Sequence, residues 1–288
     1  MNYEADGQLE LLHQLLSNEH SDQKSLDEDV QAEPLVTSEH PGVGEHTSRD
    51  TTQPDLSSVI ETRPDAGREQ RKGTPEVVFA ETKEISQIIA MARSLLASTG
   101  RVVISRLPRQ ALDPVRETFR EYPFRLRAGN RAMVIYRPDY VRSKTGGHVG
   151  VISAGTSDIP VAEEAALIAE EMGCRVTCIY DVGVAGLHRL MLPLRTLLAD
   201  SVDVIIVAAG MDGALPSVVS GLVPVPVIGL PTSIGYGFGG KGFAALLSML
   251  QTCAPGLSVV NIDNGVGAGV TAALIANRVA QAREHQSQ

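Results

Sequence analysis

The segment Ser153-Ala154-Gly155-Thr156-Ser157-Asp158-Ile159-Pro160 lies where an apolar run, Val149-Gly150-Val151-Ile152, meets the Ala/Glu-rich stretch 161–172. The run reads as the end of a buried strand and the stretch as a helix. The turn between them therefore offers unpaired backbone N–H groups at the positive end of a helix dipole, a setting that binds phosphates and carboxylates. Asp158 is the charged group of that turn. A carboxylate beside an anion site implies a metal, a proton to move or a cationic ligand. Ser157 and Asp158 are also good helix N-caps, and the turn alone leaves both readings open.

A second acid, Asp212, lies in the comparable turn Ala209-Gly210-Met211-Asp212-Gly213-Ala214-Leu215-Pro216. Two carboxylates following different strands can hold a metal or divide acid and base roles. Further polar residues fall in the same kind of turn, among them Thr156, Asp181, Thr232, Ser233 and Asp263. His188 falls in the first turn of an expected helix, where a surface role is as open as a catalytic one. Gly155, Gly210 and Gly235 stand among many turn glycines that permit positive φ and close backbone approach to a ligand, and ordinary turn chemistry accounts for a share of them. The spacing is not the Gly-x-Gly-x-x-Gly fingerprint with an acid about 20 residues on, so a standard dinucleotide-dehydrogenase site is unsupported.

Cys174 and Cys178 alternate on one face of an expected strand and read as core. Cys253 follows an expected helix and precedes Ala254-Pro255-Gly256, which makes it accessible. A helix C-terminus disfavours a thiolate, so spacing alone reads Cys253 as structural. As a nucleophile it needs a cation, such as the substrate, to stabilise its anion.

The elements that must position these groups follow from hydropathy. Continuous apolar runs such as Val204-Ile205-Ile206-Val207-Ala208 imply strands buried on both faces, hence a parallel sheet covered by helices. Strands are expected over 147–153, 175–181, 202–208, 225–229 and 257–262, and helices over 161–172, 186–199, 214–220, 241–252 and 267–283. This is a three-layer, doubly wound α/β fold, in which ligands gather at the carboxyl ends of the strands. Before it, 76–79, 102–105 and 132–136 read as strands, with helices over 85–98 and 110–121, and 137–147 reads as a linker. The expected division is an acidic, mostly disordered segment 1–72 holding one short helix over 9–16, a small α/β domain 73–146 and a catalytic domain 147–284.

The chain has 288 residues and a net charge of −9. Residues 1–60 hold thirteen Asp/Glu against two Lys/Arg, which leaves the remainder near neutrality. The acidity belongs to the tail, and the body shows no sign of binding nucleic acid. His13, His20, His40 and His46 lie in the tail without metal-ligand spacing. Three Cys argue against a disulfide framework, and neither a membrane span nor an export signal is present, so a cytoplasmic protein is expected.

Several ordered motifs are similar to the aminoimidazole ribonucleotide (AIR) carboxylase superfamily: Ala154-Gly155-Thr156-Ser157-Asp158, then 208–216, then Pro224-Val225-Pro226-Val227-Ile228-Gly229. Three more resemble one branch of it, the LarB family: Asp181-Val182-Gly183-Val184-Ala185-Gly186-Leu187-His188-Arg189, Pro231-Thr232-Ser233-Ile234-Gly235-Tyr236-Gly237, and Cys253 followed by Val259-Val260-Asn261-Ile262-Asp263-Asn264-Gly265. The resemblance covers about 74–283. It implies an AIR carboxylase-like fold and a pyridinium-3,5-biscarboxylic acid mononucleotide synthase of nickel-pincer cofactor synthesis. Such an enzyme carboxylates nicotinic acid adenine dinucleotide with CO₂ or bicarbonate and hydrolyses its phosphoanhydride, releasing AMP.

By position the resemblance puts the catalytic cysteine on Cys253 and its acids on Asp212 and Asp158. Thr156 and Ser157 fall on the phosphate and carboxylation turn, with Gly155, Gly210, Ser233, Gly235 and His188 as further binding positions. The substrate's pyridinium would supply the cation that Cys253 lacks. Mg²⁺ on Asp158 and Asp212 is expected to assist hydrolysis, and a dimer-based homo-oligomer, up to an octamer, is expected. The chain departs from the family at Phe238-Gly239-Gly240-Lys241-Gly242, where Lys241 adds a cation. The competing readings are an AIR carboxylase of purine synthesis, which would not need Cys253, and a non-catalytic nucleotide-binding protein.

Overall fold

A computed structural model describes residues 63–129 and 131–286, which belong to one compact unit. The short helix expected over 9–16 and the four histidines of the acidic tail lie outside the described residues.

The chain enters through α1 (Arg68–Lys72), β1 (Val77–Phe79), α2 (Ile85–Thr99), β2 (Arg101–Ser105), α3 (Arg109–Thr118), β3 (Phe124–Arg127) and β4 (Ala132–Tyr136). These strands form a four-stranded sheet in the order β1-β2-β4-β3, in which β1 and β2 are parallel and the other pairs antiparallel. The sequence reading placed 63–72 in the loosely organised tail, yet α1 is anchored. Arg68 pairs with Glu76 at 2.7 Å and Glu69 with the buried Arg101 at 2.7 Å. β3 was not foreseen, because Phe124-Arg125-Leu126-Arg127 has no apolar run to announce it. It forms because it pairs with β4 and because Arg125 and Arg127 both reach Glu170, at 2.5 and 2.7 Å.

The second sheet contains β5 (His148–Ser153), β6 (Arg175–Ile179), β7 (Val204–Ala209), β8 (Val227–Pro231) and β9 (Leu257–Val259). Its order is β6-β5-β7-β8-β9 and every pairing is parallel. The helices are α4 (Ile159–Glu171), α5 (His188–Ala199), α6 (Leu215–Ser220), α7 (Phe243–Leu250) and α8 (Gly265–Gln286). One apolar cluster packs α4 and α8 on one face of the sheet, and another packs α5, α6 and α7 on the opposite face. This is the doubly wound α/β architecture, with the four-stranded sheet adding its own core of Ile88, Leu95, Ile104 and Met133.

β5, β7 and β8 are buried along their whole length. The edge strands β6 and β9 are only half-buried, so the expectation of strands covered on both faces fails at the margins. Cys174 is buried, its thiol pushed up to about 11 by desolvation, whereas Cys178 on β6 is only half-buried. α4 and α8 approach closely because α8 presents Gly265, Ala268, Gly269, Ala272, Ala273 and Ala276. A Cβ on Gly269 would lie 2.5 Å from the Ala165 carbonyl oxygen, so glycine is required there.

Candidate functional site

The parallel strands point their carboxyl ends at one rim. Three turns on that rim are tied to one another by backbone hydrogen bonds. Thr232 N–H donates to the Ala209 carbonyl (3.0 Å), Met211 N–H to the Ile234 carbonyl (2.8 Å), and Asp263 N–H to the Pro231 carbonyl (2.8 Å). Gly210 sits at the crowded centre. A Cβ there would lie 2.2 Å from the Ile234 carbonyl oxygen and 2.7 Å from the Thr232 hydroxyl, so the turns can close only around a glycine.

Asp158 ends a short 3-10 turn, Thr156–Asp158, and is 4% exposed. The Thr232 hydroxyl donates to its Oδ1 at 2.6 Å and the Gly155 N–H to its Oδ2 at 2.9 Å, with the Gly210 N–H a third donor. Burial pushes the carboxyl above its ordinary value, and these three bonds pull against that shift. A carboxyl whose proton affinity is raised in this way is better suited to accept a proton than an exposed one.

Its oxygens are already occupied by donors, which a metal would have to displace. Among the described residues no cluster of three or more His, Cys, Asp or Glu could hold a metal ion. The donor set around Asp158 therefore does not fit the expected Mg²⁺ site.

Asp212 stands two residues beyond Gly210 and is exposed, its Oδ1 accepting the Ala214 N–H at 3.4 Å. The two expected acids thus share a rim but not an environment: Asp158 is buried and clamped, Asp212 open to solvent. His188 is exposed at the start of α5. Gly155, Thr156, Ser157, Ser233 and Gly235 all lie on this rim. The hydroxyls of Thr156, Ser157 and Ser233 are exposed and unpaired among the described residues.

Cys253 is not brought to this rim. It is exposed in the connection from α7 to β9, and the Gly256 carbonyl three residues later receives the N–H of Val227, the first residue of β8. Cys253 therefore stands at the amino ends of the strands. At about 3.3 Å per residue, the length of β8 sets it on the order of 15 Å from the Asp158 rim within one chain.

The structure adds residues for which the sequence carried no motif. A cleft of about 420 Å³ opens between the rim and the four-stranded sheet. One wall is Ser157, Ser233 and Asp263; the other is Arg106, Arg109 and Arg131. Arg106 sits with its guanidinium 5.0 Å from the Phe79 ring centroid, pairs with Glu81 at 3.0 Å and donates to the Asp263 carbonyl. Arg131 reaches the same Glu81 at 3.4 Å. Arg109 is exposed and has no partner among the described residues.

Glu164, buried on α4, also faces the cleft. It accepts the Ser105 hydroxyl at 2.6 Å, and burial pushes its carboxyl upward. Non-glycine residues in the left-handed region concentrate around this cleft and rim: Arg106 (φ 51°), Ala128 (55°), Met211 (51°) and Asp263 (54°). Such conformations cost free energy and persist where the surrounding structure over-determines them, typically at binding sites.

Comparison with known proteins gives a consistent picture. A model of the AIR carboxylase family matches residues 148–288, and a LarB/PurE-like N-terminal domain model matches residues 57–136. An uncharacterized protein of Methanocaldococcus jannaschii is 43% identical over 215 residues, which span 74% of this chain and 82% of that protein. An N5-carboxyaminoimidazole ribonucleotide mutase of the same organism is 35% identical over 125 residues, 42% of this chain and 74% of the mutase. The mutase of Thermotoga maritima is 32% identical over 134 residues, 44% and 73% of the two chains.

Proposed function

The chain belongs to the AIR carboxylase family, in the branch that carries a LarB/PurE-like N-terminal domain, and from that premise we propose that it carboxylates the pyridinium ring of nicotinic acid adenine dinucleotide and hydrolyses the phosphoanhydride. The products are pyridinium-3,5-biscarboxylic acid mononucleotide and AMP, and the co-substrates are CO₂ (or bicarbonate) and water. The observation that carries the reading is the buried Asp158 carboxylate beside exposed, unpaired hydroxyls and a cleft walled by arginines of the N-terminal domain. A cationic ring with a pyrophosphate tail matches that polarity. The ring is drawn to the carboxylates of Asp158 and Asp263, and the phosphates to the hydroxyls and guanidiniums.

In this reading the Cys253 thiolate adds to a ring carbon. The C–S bond forms and the nitrogen's positive charge is relieved. The ring is then an enamine whose C5 attacks CO₂, forming the new C–C bond. Asp158 accepts the C5 proton, and expulsion of the thiolate restores the aromatic pyridinium. Thr156, Ser157 and Ser233 hold the phosphates while water cleaves the anhydride. Gly155, Gly210 and Gly235 allow the backbone to approach, and Asp212 and His188 flank the opening.

Because Cys253 lies on the opposite rim of its own chain, this chemistry needs a second copy to supply it. α7 offers the contact surface: Phe243, Leu247 and Leu250 recur at helical spacing and are each 63% exposed. The three thiols are free cysteines, consistent with a reducing cytoplasm, and no helix among the described residues is long and apolar enough to cross a membrane.

The test is mass spectrometry of the small molecules formed from the dinucleotide and bicarbonate by the full chain and by Cys253→Ala. AMP with a carboxylated pyridinium mononucleotide is expected from the parent. Loss of the product is expected in the variant, with an unchanged unfolding midpoint because the side chain is exposed. Carboxylation of aminoimidazole ribonucleotide by both proteins, without turnover of the dinucleotide, would move the chain to the AIR carboxylase reaction of purine synthesis.

A further inference from the structure

The N-terminal domain carries three arginines on one wall of the cleft, and the AIR carboxylase match begins only at residue 148. Arg106 and Arg131 are both tethered by Glu81, so their guanidiniums are held in place before any ligand arrives. Arg106 is further fixed by the Phe79 ring and by its bond to the Asp263 carbonyl, which links the N-terminal sheet to the rim. Arg109, at the first position of α3, stands on the same wall as a cation without a partner among the described residues.

Three carboxylates, Glu81, Glu164 and Asp263, line the cleft with the three guanidiniums, but Glu81 pairs only with Arg106 and Arg131, and no carboxylate among the described residues reaches Arg109, whose fork is left for an incoming anion. Planar, forked donors are matched to a phosphate that presents several oxygens at once. The opposite wall holds the Ser157 and Ser233 hydroxyls, which can take another phosphate of the same ligand. The volume, about 420 Å³, lies within the range of small-molecule sites.

We propose that Arg109, supported by Arg106 and Arg131, binds the distal phosphate of a two-phosphate substrate, so that the N-terminal domain makes the site select a pyrophosphate-linked dinucleotide over a mononucleotide. This rests on the dinucleotide reading above and assigns the second half of its substrate. The proximal phosphate stays on the Thr156-Ser157 turn, common to any nucleotide bound at the rim. The distal phosphate crosses to the arginine wall, and a ligand without it leaves that wall unengaged.

The experiment is isothermal titration of the full chain with nicotinic acid adenine dinucleotide and with nicotinic acid mononucleotide, for the parent, Arg109→Ala and Arg109→Lys. The parent is expected to bind the dinucleotide more tightly. Arg109→Ala should lose roughly tenfold or more in dinucleotide affinity, the scale of a charge-assisted bond, and stay within about twofold for the mononucleotide. Arg109→Lys should recover part of the loss, since charge returns without the fork. Inorganic pyrophosphate should displace the dinucleotide from the parent. Equal affinity of the parent for both nucleotides, equal weakening of both by Arg109→Ala, or no weakening of the dinucleotide would each overturn the proposal. A parent that shows this selectivity without forming a carboxylated product would refute the reaction and leave the subsite standing.

Discussion

Thr232→Val removes one atom's worth of chemistry from the centre of the rim and leaves the volume almost unchanged. Thr232 is fully buried and its hydroxyl donates to Asp158 Oδ1 at 2.6 Å. A hydrogen bond to an ionised carboxylate contributes about 1.5–3 kcal/mol, and one to a neutral carboxyl about 0.5–1.5 kcal/mol. The variant should therefore be less stable at all pH values, by more where Asp158 is charged. The pH-dependent part is about 1 kcal/mol, and it acts as a further rise in the Asp158 pKa.

The sign follows from proton binding. Burial already raises this pKa in the folded state, so folding binds the proton and the group's contribution to stability falls as pH climbs from the ordinary carboxylate value through the folded one. Losing the Thr232 donor steepens that fall. The assay is urea unfolding of both proteins from about pH 8 down towards pH 4, with the acid limb of kcat/KM followed over the same range. The stability difference should shrink as pH drops, and the acid limb should move to higher pH in the variant. A difference independent of pH, or a limb that stays in place, would refute an ionised, Thr232-clamped Asp158 as the working base.

Two further outcomes test the scaffold and the assembly. Arg101 is 3% exposed and pairs at 3.0 Å with Glu171, whose side chain is fully buried; Arg101→Met should cost about 3 kcal/mol in chemical unfolding, at the low end for a broken buried pair because Tyr136 and Arg142 still reach Glu171. A loss under about 1 kcal/mol would show that this contact between β2 and α4 contributes little to holding the two sheets together. Leu247→Glu places a charge in the exposed α7 stripe and should lower the mass measured by light scattering and abolish turnover while preserving the far-ultraviolet spectrum; unchanged mass and activity would remove that face, and with it the cross-copy supply of Cys253.

The sequence by itself determined the parallel sheet and the rim. Runs such as Val204–Ala209 have no polar face to give to water, so they can only be strands covered on both sides, and parallel strands send their turns to one edge. Asp158, Gly155, Thr156 and Ser157 were legible for that reason: a local turn at a strand end has its position fixed by the strand. What depends on long-range pairing was not legible. β3 is a strand because β4 offers it a ladder and Glu170 accepts its arginines, and none of that is written in Phe124–Arg127.

The tertiary structure alone decided three matters of the site. It buried Asp158, which raises its pKa, and brought Thr232 from 74 residues away to donate a hydrogen bond that opposes the rise. It carried Arg106, Arg109 and Arg131 from a different sheet to the mouth of the rim, across separations that no motif spacing encodes. It also set Cys253 on the far edge. A helix that leaves the carboxyl rim must return to the amino rim before the next parallel strand begins, so a residue between α7 and β9 lies away from Asp158 within its own chain.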